Sequence, residues 1–257
     1  MDVGLIVLLF GIGLVGSMLS GLVGIGGSII KYPMLMYIPP ALGFAAFTAQ
    51  EVSAISAIQV FFATLAGMFA YRKDRLVNKD LVLYMGATIV LGSFIGGYGS
   101  KFLPDAAINM TYAILALAAA AMMMLPKSSE EGSSEFTFNK GLAALLAAVI
   151  GIVSGIVGAA GAFITVPVML VVLKVPTRVA IASSLAITFI SSIGSTVGKL
   201  MGGHMLLLPS IIMVAASFIA APVGAVWSKR MHTKTLQWIL IILIMATVVK
   251  IWLDIIV

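Results

Sequence analysis

The chain has 257 residues, of which 61% are hydrophobic and only 9% charged, with a mean hydropathy of +1.19. A soluble domain of this length carries about a quarter charged residues, so the composition excludes an ordinary soluble fold and points to an all-α polytopic membrane protein in the cell membrane. The lack of cysteine excludes disulfides, thiol catalysis and cysteine–metal sites, and the net charge of +6 reads as membrane orientation rather than nucleic-acid binding.

Apolar segments fall at 3–23, 28–38, 44–70, 79–99 and 106–125, and again at 140–157, 161–173, 178–201, 206–227 and 235–256. The first has neither a basic flank nor a cleavage pattern, and reads as a retained span. Within it, Gly11-Ile12-Gly13-Leu14-Val15-Gly16 matches the dinucleotide fingerprint only formally, because no strand precedes it. The segment then runs into Ser20-Gly21-Leu22-Val23-Gly24-Ile25-Gly26-Gly27-Ser28-Ile29-Ile30-Lys31-Tyr32-Pro33. This stretch returns 134 residues later as Ser154-Gly155-Ile156-Val157-Gly158-Ala159-Ala160-Gly161-Ala162-Phe163-Ile164-Thr165-Val166-Pro167, with seven of fourteen positions identical. Glycines weaken a helix by about 1 kcal/mol each, and three within four residues exceed what a packing contact needs. Paired broken helices in corresponding halves point to a transporter's binding site, and an unwound turn frees backbone N–H groups for an anion. Gly92/Gly96 and Gly194/Gly198, by contrast, read as helix-packing glycines.

Three charges fall inside apolar segments: Lys31, Glu51 and Lys199. Lys31 follows the glycine turn and is placed to neutralise an anion, whereas its counterpart Thr165 carries no charge. Lys199 reads equally as a snorkelling residue or as part of a polar pathway. Glu51 reads as the one carboxylate in mid-span; it either exchanges a coupling proton or pairs with a lysine. Around it, Thr48-Ala49-Gln50-Glu51 aligns with Ala182-Ser183-Ser184-Leu185, so both halves place short polar groups in a later segment.

Three units follow: an N-terminal repeat at 1–125, a hydrophilic linker at 126–139 and a C-terminal repeat at 140–257. Merging each glycine-broken region into one span gives eight crossings and divides the loop Lys and Arg six to six. Counting each short segment separately gives five per half and places eleven basic residues on one side, with Lys101 alone on the other. The positive-inside rule favours this second reading, in which the repeats are inverted. Its difficulty is that 28–38 rises only about 16 Å as a helix, so it must be buried in protein or line a cavity.

The doubled glycine motif with its proline, the small polar segments after it and the central linker resemble the TauE/SafE family of sulfite-exporter permeases. The likeness is strongest at Gly24, Gly26, Gly27 and Pro33, and at Gly158, Gly161 and Pro167; Ala160 stands where the first copy has Gly26. The resemblance implies transport of sulfite, sulfoacetate or related organosulfur anions, while the residues themselves indicate a small oxyanion. The expected binding set is Gly24, Gly26, Gly27, Ser28, Lys31, Gln50, Gly158, Gly161, Ala162, Ser183 and Ser184, with Glu51 for proton coupling. No cofactor, metal or enzymatic centre is expected, and no Walker motif is present. An anion-selective channel is the competing class.

Overall fold

The computed structural model describes residues 2–24, 27–71, 76–125 and 137–232, and thereafter 234–236, 238–239, 241–242, 244–245 and 249. The helices are α1 (Val3–Val23), α2 (Ser28–Ala41), α3 (Ala49–Tyr71), α4 (Lys79–Gly99), α5 (Asp105–Met124), α6 (Lys140–Val157), α7 (Ala162–Val171), α8 (Thr177–Gly202) and α9 (Leu207–Arg230), with a 3-10 turn at Ser100–Phe102. Polar side chains start several of them: Asp2 caps α1, Asn78 caps α4 and Asn139 caps α6, each accepting a backbone N–H of the first turn. No strand occurs among the described residues. Seven of the helices (all but α2 and α7) are long and apolar enough to cross a membrane. The polar run 126–136 and most of the segment expected at 235–256 lie outside the described residues.

Glycine decides how these helices pack, because it lets one backbone reach another. Gly13 lies against Met213 and Ala216, and Gly21 against Ala221 and Ala225, so α1 and α9 run parallel. Gly92 and Gly96 of α4 interlock with Gly151 and Gly155 of α6, again in parallel, and Gly194 and Gly198 of α8 fit the other side of α4. α3 and α8 run antiparallel: Lys199 bonds Ser53 toward one end, and Gly67 meets Leu185 toward the other. The first helix of each half therefore packs on the fourth helix of the other half.

These directions divide the molecule into two ends. Asp80 pairs with Lys140 at 3.4 Å, the Asn78 N–H donates to Ser183 Oγ at 3.0 Å, and Arg178 donates to the Met231 carbonyl at 3.1 Å. Lys79, Lys140, Arg178, Lys229 and Arg230 gather there, while Lys101 sits at the opposite end with Ser100.

After α1 the chain doubles back. Gly27 lies on the carbonyl of Gly16, halfway along α1, and Phe44 meets Gly4 near its start. α2 thus descends beside α1 from mid-depth instead of extending it, so the merged, eight-crossing arrangement is not the one adopted. At 14 residues, or about 21 Å, it is also longer than expected, ending at Ala41 rather than residue 38.

Candidate functional site

The two glycine turns share one backbone design. Gly24 and Gly158 end α1 and α6 at φ 73° and 75°, and Gly27 and Gly161 begin α2 and α7 at φ 64° and 71°. Left-handed backbone costs a residue with a side chain about 1–2 kcal/mol, which explains glycine at all four places. Ala160 accepts that strain at φ 50°. Space is short as well: a Cβ on Gly158 would fall on the Ser53 carbonyl, and one on Gly24 would crowd Ser184 and the Ile181 carbonyl. Gly26 lies outside the described residues.

The turns converge. Ser28 Oγ, at the start of α2, reaches the Ala159 carbonyl of the second turn at 3.5 Å. Ser184 Oγ holds the Gly24 carbonyl at 2.8 Å and shares its proton with Ile181 O. No side chain caps α2 or α7, so the first-turn N–H groups and the positive dipole ends of both helices lie beside the turns. α7 opens at Ala162, directly after Gly161.

Tyr112 of α5 closes this region from one side, and sequence reasoning missed it. Pro33 has no N–H to give the Ile29 carbonyl one turn earlier. The Tyr112 hydroxyl supplies that donor. Its ring stacks on Tyr32 at 4.4 Å and meets Phe163 edge-on at 5.7 Å, while Tyr32 donates to Asn109 at 2.7 Å. The signal was present in the sequence: a proline in mid-helix implies a partner elsewhere for the carbonyl it abandons.

Lys31 is fully buried. Its Cγ and Cδ lie across Gly16, where any Cβ would overlap them, and its Nζ has no hydrogen-bond partner among the described residues. A buried ammonium without a partner is costly, and a negative ligand is what relieves it. At the matching position Thr165 only returns its hydroxyl to the Gly161 carbonyl at 2.7 Å. The charge belongs to one half alone.

Other expected residues have partners of their own. Glu51 is not in mid-span: it sits in the first turn of α3, where its carboxylate accepts the Thr48 N–H at 2.9 Å and Thr48 Oγ1 accepts the Glu51 N–H at 3.2 Å. That is a reciprocal capping box. Gln50 donates its N–H to Asp105 at 3.3 Å and its Nε2 to the Leu103 carbonyl at 3.0 Å, and its buried Oε1 has no hydrogen-bond partner among the described residues. Ser183 anchors Asn78 at the start of α4. Lys199 does not snorkel: it is buried and donates to Ser53 Oγ, Ser100 Oγ and the Ile156 carbonyl at 2.6, 2.7 and 2.7 Å, which uses all three of its protons.

At the basic end, a shallow cleft is lined by Arg178, Lys229 and Ile181, the residue whose carbonyl abuts Gly24.

Residues 9–251 match the family described as Sulfite exporter TauE/SafE. The chain is 26% identical over 254 residues to a protein of Bacillus subtilis (strain 168) named "Probable membrane transporter protein YunE", covering 91% of this chain and 92% of that one. No solved structure matches.

Proposed function

The chain belongs to the sulfite exporter TauE/SafE family of membrane transporters, and from that premise we propose a secondary active transporter that exports a small oxyanion, sulfite or an organosulfonate such as sulfoacetate. The observation that carries this reading is Lys31: a wholly buried ammonium without a hydrogen-bond partner among the described residues, one turn into a helix that begins where the two glycine turns meet. The anion sits at that meeting point, held by the Lys31 ammonium, the Ser28 hydroxyl and the N–H groups that open α2 and α7.

Inverted repeats supply the motion. α3 is antiparallel to α8, its counterpart 134 residues away. α1 runs with α9, α4 runs with both α6 and α8, and α8 turns back into α9, so α1 is antiparallel to α6. Halves related in this way carry substrate by rocking about a site near the midplane. The basic end faces the cytoplasm by the positive-inside rule.

Uptake into proteoliposomes of sulfite, sulfoacetate, sulfate and chloride, with and without a pH gradient, tests this. Sulfur oxyanions accumulate against their own gradient, and Lys31→Met loses substrate affinity while Lys31→Arg keeps part of it. Normal affinity in Lys31→Met would remove the site, and flux that only dissipates gradients would make the protein a channel.

A further inference from the structure

A lysine has a long, flexible stem and ordinarily takes its place from whatever its ammonium binds. Lys199 does so, held by Ser53, Ser100 and the Ile156 carbonyl. Lys31 Nζ has no hydrogen-bond partner among the described residues, so its stem decides where the charge stands.

That stem lies on Gly16 of α1. A Cβ at Gly16 would stand 2.1 Å from Lys31 Cγ, 2.3 Å from Cδ and 3.4 Å from Cε, and no other heavy atom comes nearer to that point. The space that a side chain would take at position 16 is therefore filled by Lys31. The other glycines of this face behave differently: Gly13 and Gly21 meet the backbone of α9, as packing glycines do. Glycine is also a poor choice for the interior of a long helix, so position 16 needs a reason of its own.

The backbone beneath the stem is braced. Gln59 of α3 donates to the Gly13 carbonyl at 3.2 Å and to Ser17 Oγ at 2.9 Å, and Ser17 meets Ser217 Oγ of α9 at 2.7 Å. Gly27, at the start of α2, rests on the Gly16 carbonyl. A stem laid on a fixed floor holds its head in place before an anion arrives, which lowers the ordering cost of binding. The second half is built otherwise. The counterparts of Gly16 and Lys31, 134 residues on, are Ile150 and Thr165. There the long helix carries the larger side chain and the short helix has no charge to seat.

Resting on the anion site proposed above, we infer that Gly16 is a positioning residue for the transported anion. Its missing side chain is the seat of the Lys31 stem and sets where the ammonium stands. An alanine at position 16 lifts the stem from α1 and carries the ammonium away from the anion, although the lysine itself remains.

The test compares Gly16→Ala with Gly86→Ala in the full chain. Each adds a methyl to a buried helix interior against a side chain that can move, Lys31 at position 16 and Ile190 Cδ1, 2.8 Å away, at position 86. Sulfite uptake into proteoliposomes gives half-saturation and maximal rate, and thermal unfolding in micelles reports the fold. Gly16→Ala should raise half-saturating sulfite by about tenfold or more, the loss expected when a charge-assisted hydrogen bond is misplaced. Gly86→Ala should leave half-saturation unchanged. Unchanged half-saturation in folded Gly16→Ala, or an equal rise in both variants, would overturn the inference. Should Gly16→Ala fail to fold, Gly16→Ala combined with Lys31→Ala removes the obstructing stem and should recover the fold. Failure of that pair as well would assign Gly16 to backbone packing and overturn the inference. Lys31→Met keeps the two levels apart. Normal half-saturation in Lys31→Met, or no sulfite uptake by the unaltered chain, strikes the anion site and this inference with it. Loss in Lys31→Met with none in Gly16→Ala strikes the seat alone.

Discussion

Gly27→Ala and Gly161→Ala, made one at a time, separate two reasons for glycine in the paired turns. Both residues have left-handed backbone, at φ 64° and 71°. An alanine there is strained by about 1–2 kcal/mol, partly offset by about 0.4–1 kcal/mol from the stiffer unfolded chain. The surroundings then divide them. At position 161 the new Cβ meets side-chain atoms only, the Ile150 Cγ2 methyl at 2.9 Å, Ile89 Cδ1 at 3.1 Å and Thr165 Oγ1 at 3.2 Å, which can yield by a few tenths of an ångström through side-chain rotation. At position 27 it lands on the backbone carbonyl of Gly16, in the middle of α1, which cannot yield unless α2 lifts off. Such overpacking adds about 1–3 kcal/mol. Gly161→Ala should therefore lose about 1 kcal/mol and Gly27→Ala about 2–4 kcal/mol. Unfolding in mixed detergent micelles, followed by helical circular dichroism, reads the difference. Equal losses, or a larger loss at Gly161, would refute the argument that backbone contact sets the hierarchy.

Three further perturbations have equally definite outcomes. Tyr112→Phe strips the donor from the Ile29 carbonyl beside Pro33 and should lower stability by about 1–3 kcal/mol, with Tyr112→Leu worse because the ring contacts go too; no measurable change would mean that the proline-abandoned carbonyl finds another donor. Glu51→Gln keeps an oxygen for the Thr48 N–H, so it should lose under about 1 kcal/mol and leave gradient-driven accumulation intact; loss of the gradient response would return Glu51 to a coupling role. Single cysteines at Asn78, Arg230 and His204, in a chain with no cysteine background, report topology. An impermeant thiol reagent should label His204 in intact cells and spare the other two, and labelling of Asn78 without Arg230 would break the two-ended arrangement.

What could be read from the sequence was whatever repeats or alternates strongly. The span character of Val3–Val23 or Lys140–Val157 follows from composition, and the turns at Gly24–Gly27 and Gly158–Gly161 from a spacing of 134. The segregation of Lys and Arg favoured a separate short α2 before any geometry, because a merged span would have scattered the charges. Side-chain roles were less legible, since they depend on what lies opposite. Glu51 looked intramembrane because residues 44–48 are apolar enough to extend the segment, yet Thr48-Ala49-Gln50-Glu51 spells a capping box that fixes the helix start. Lys199 and Lys31 look alike in sequence; only the positions of Ser53, Ser100 and Ile156 show that one is saturated and the other is not.

On the proposed reading, the asymmetry between the halves turns a symmetric scaffold into a site for one ion. The repeats duplicate the backbone: two left-handed glycine pairs, two uncapped helix starts and two prolines at matching places. Backbone dipoles from both halves can favour an anion, but dipoles alone are weak and select little. The first half adds Lys31 where the second has Thr165, whose hydroxyl turns back on its own helix. On the proposed mechanism, a second lysine at position 165 raises affinity for dianions and holds them too tightly to release. A single charge binds an anion only as strongly as one ion pair permits, which suits a carrier that must also let go. Thr165→Lys tests that trade directly: tighter binding of sulfate with slower turnover is the expected result, and faster turnover would contradict it.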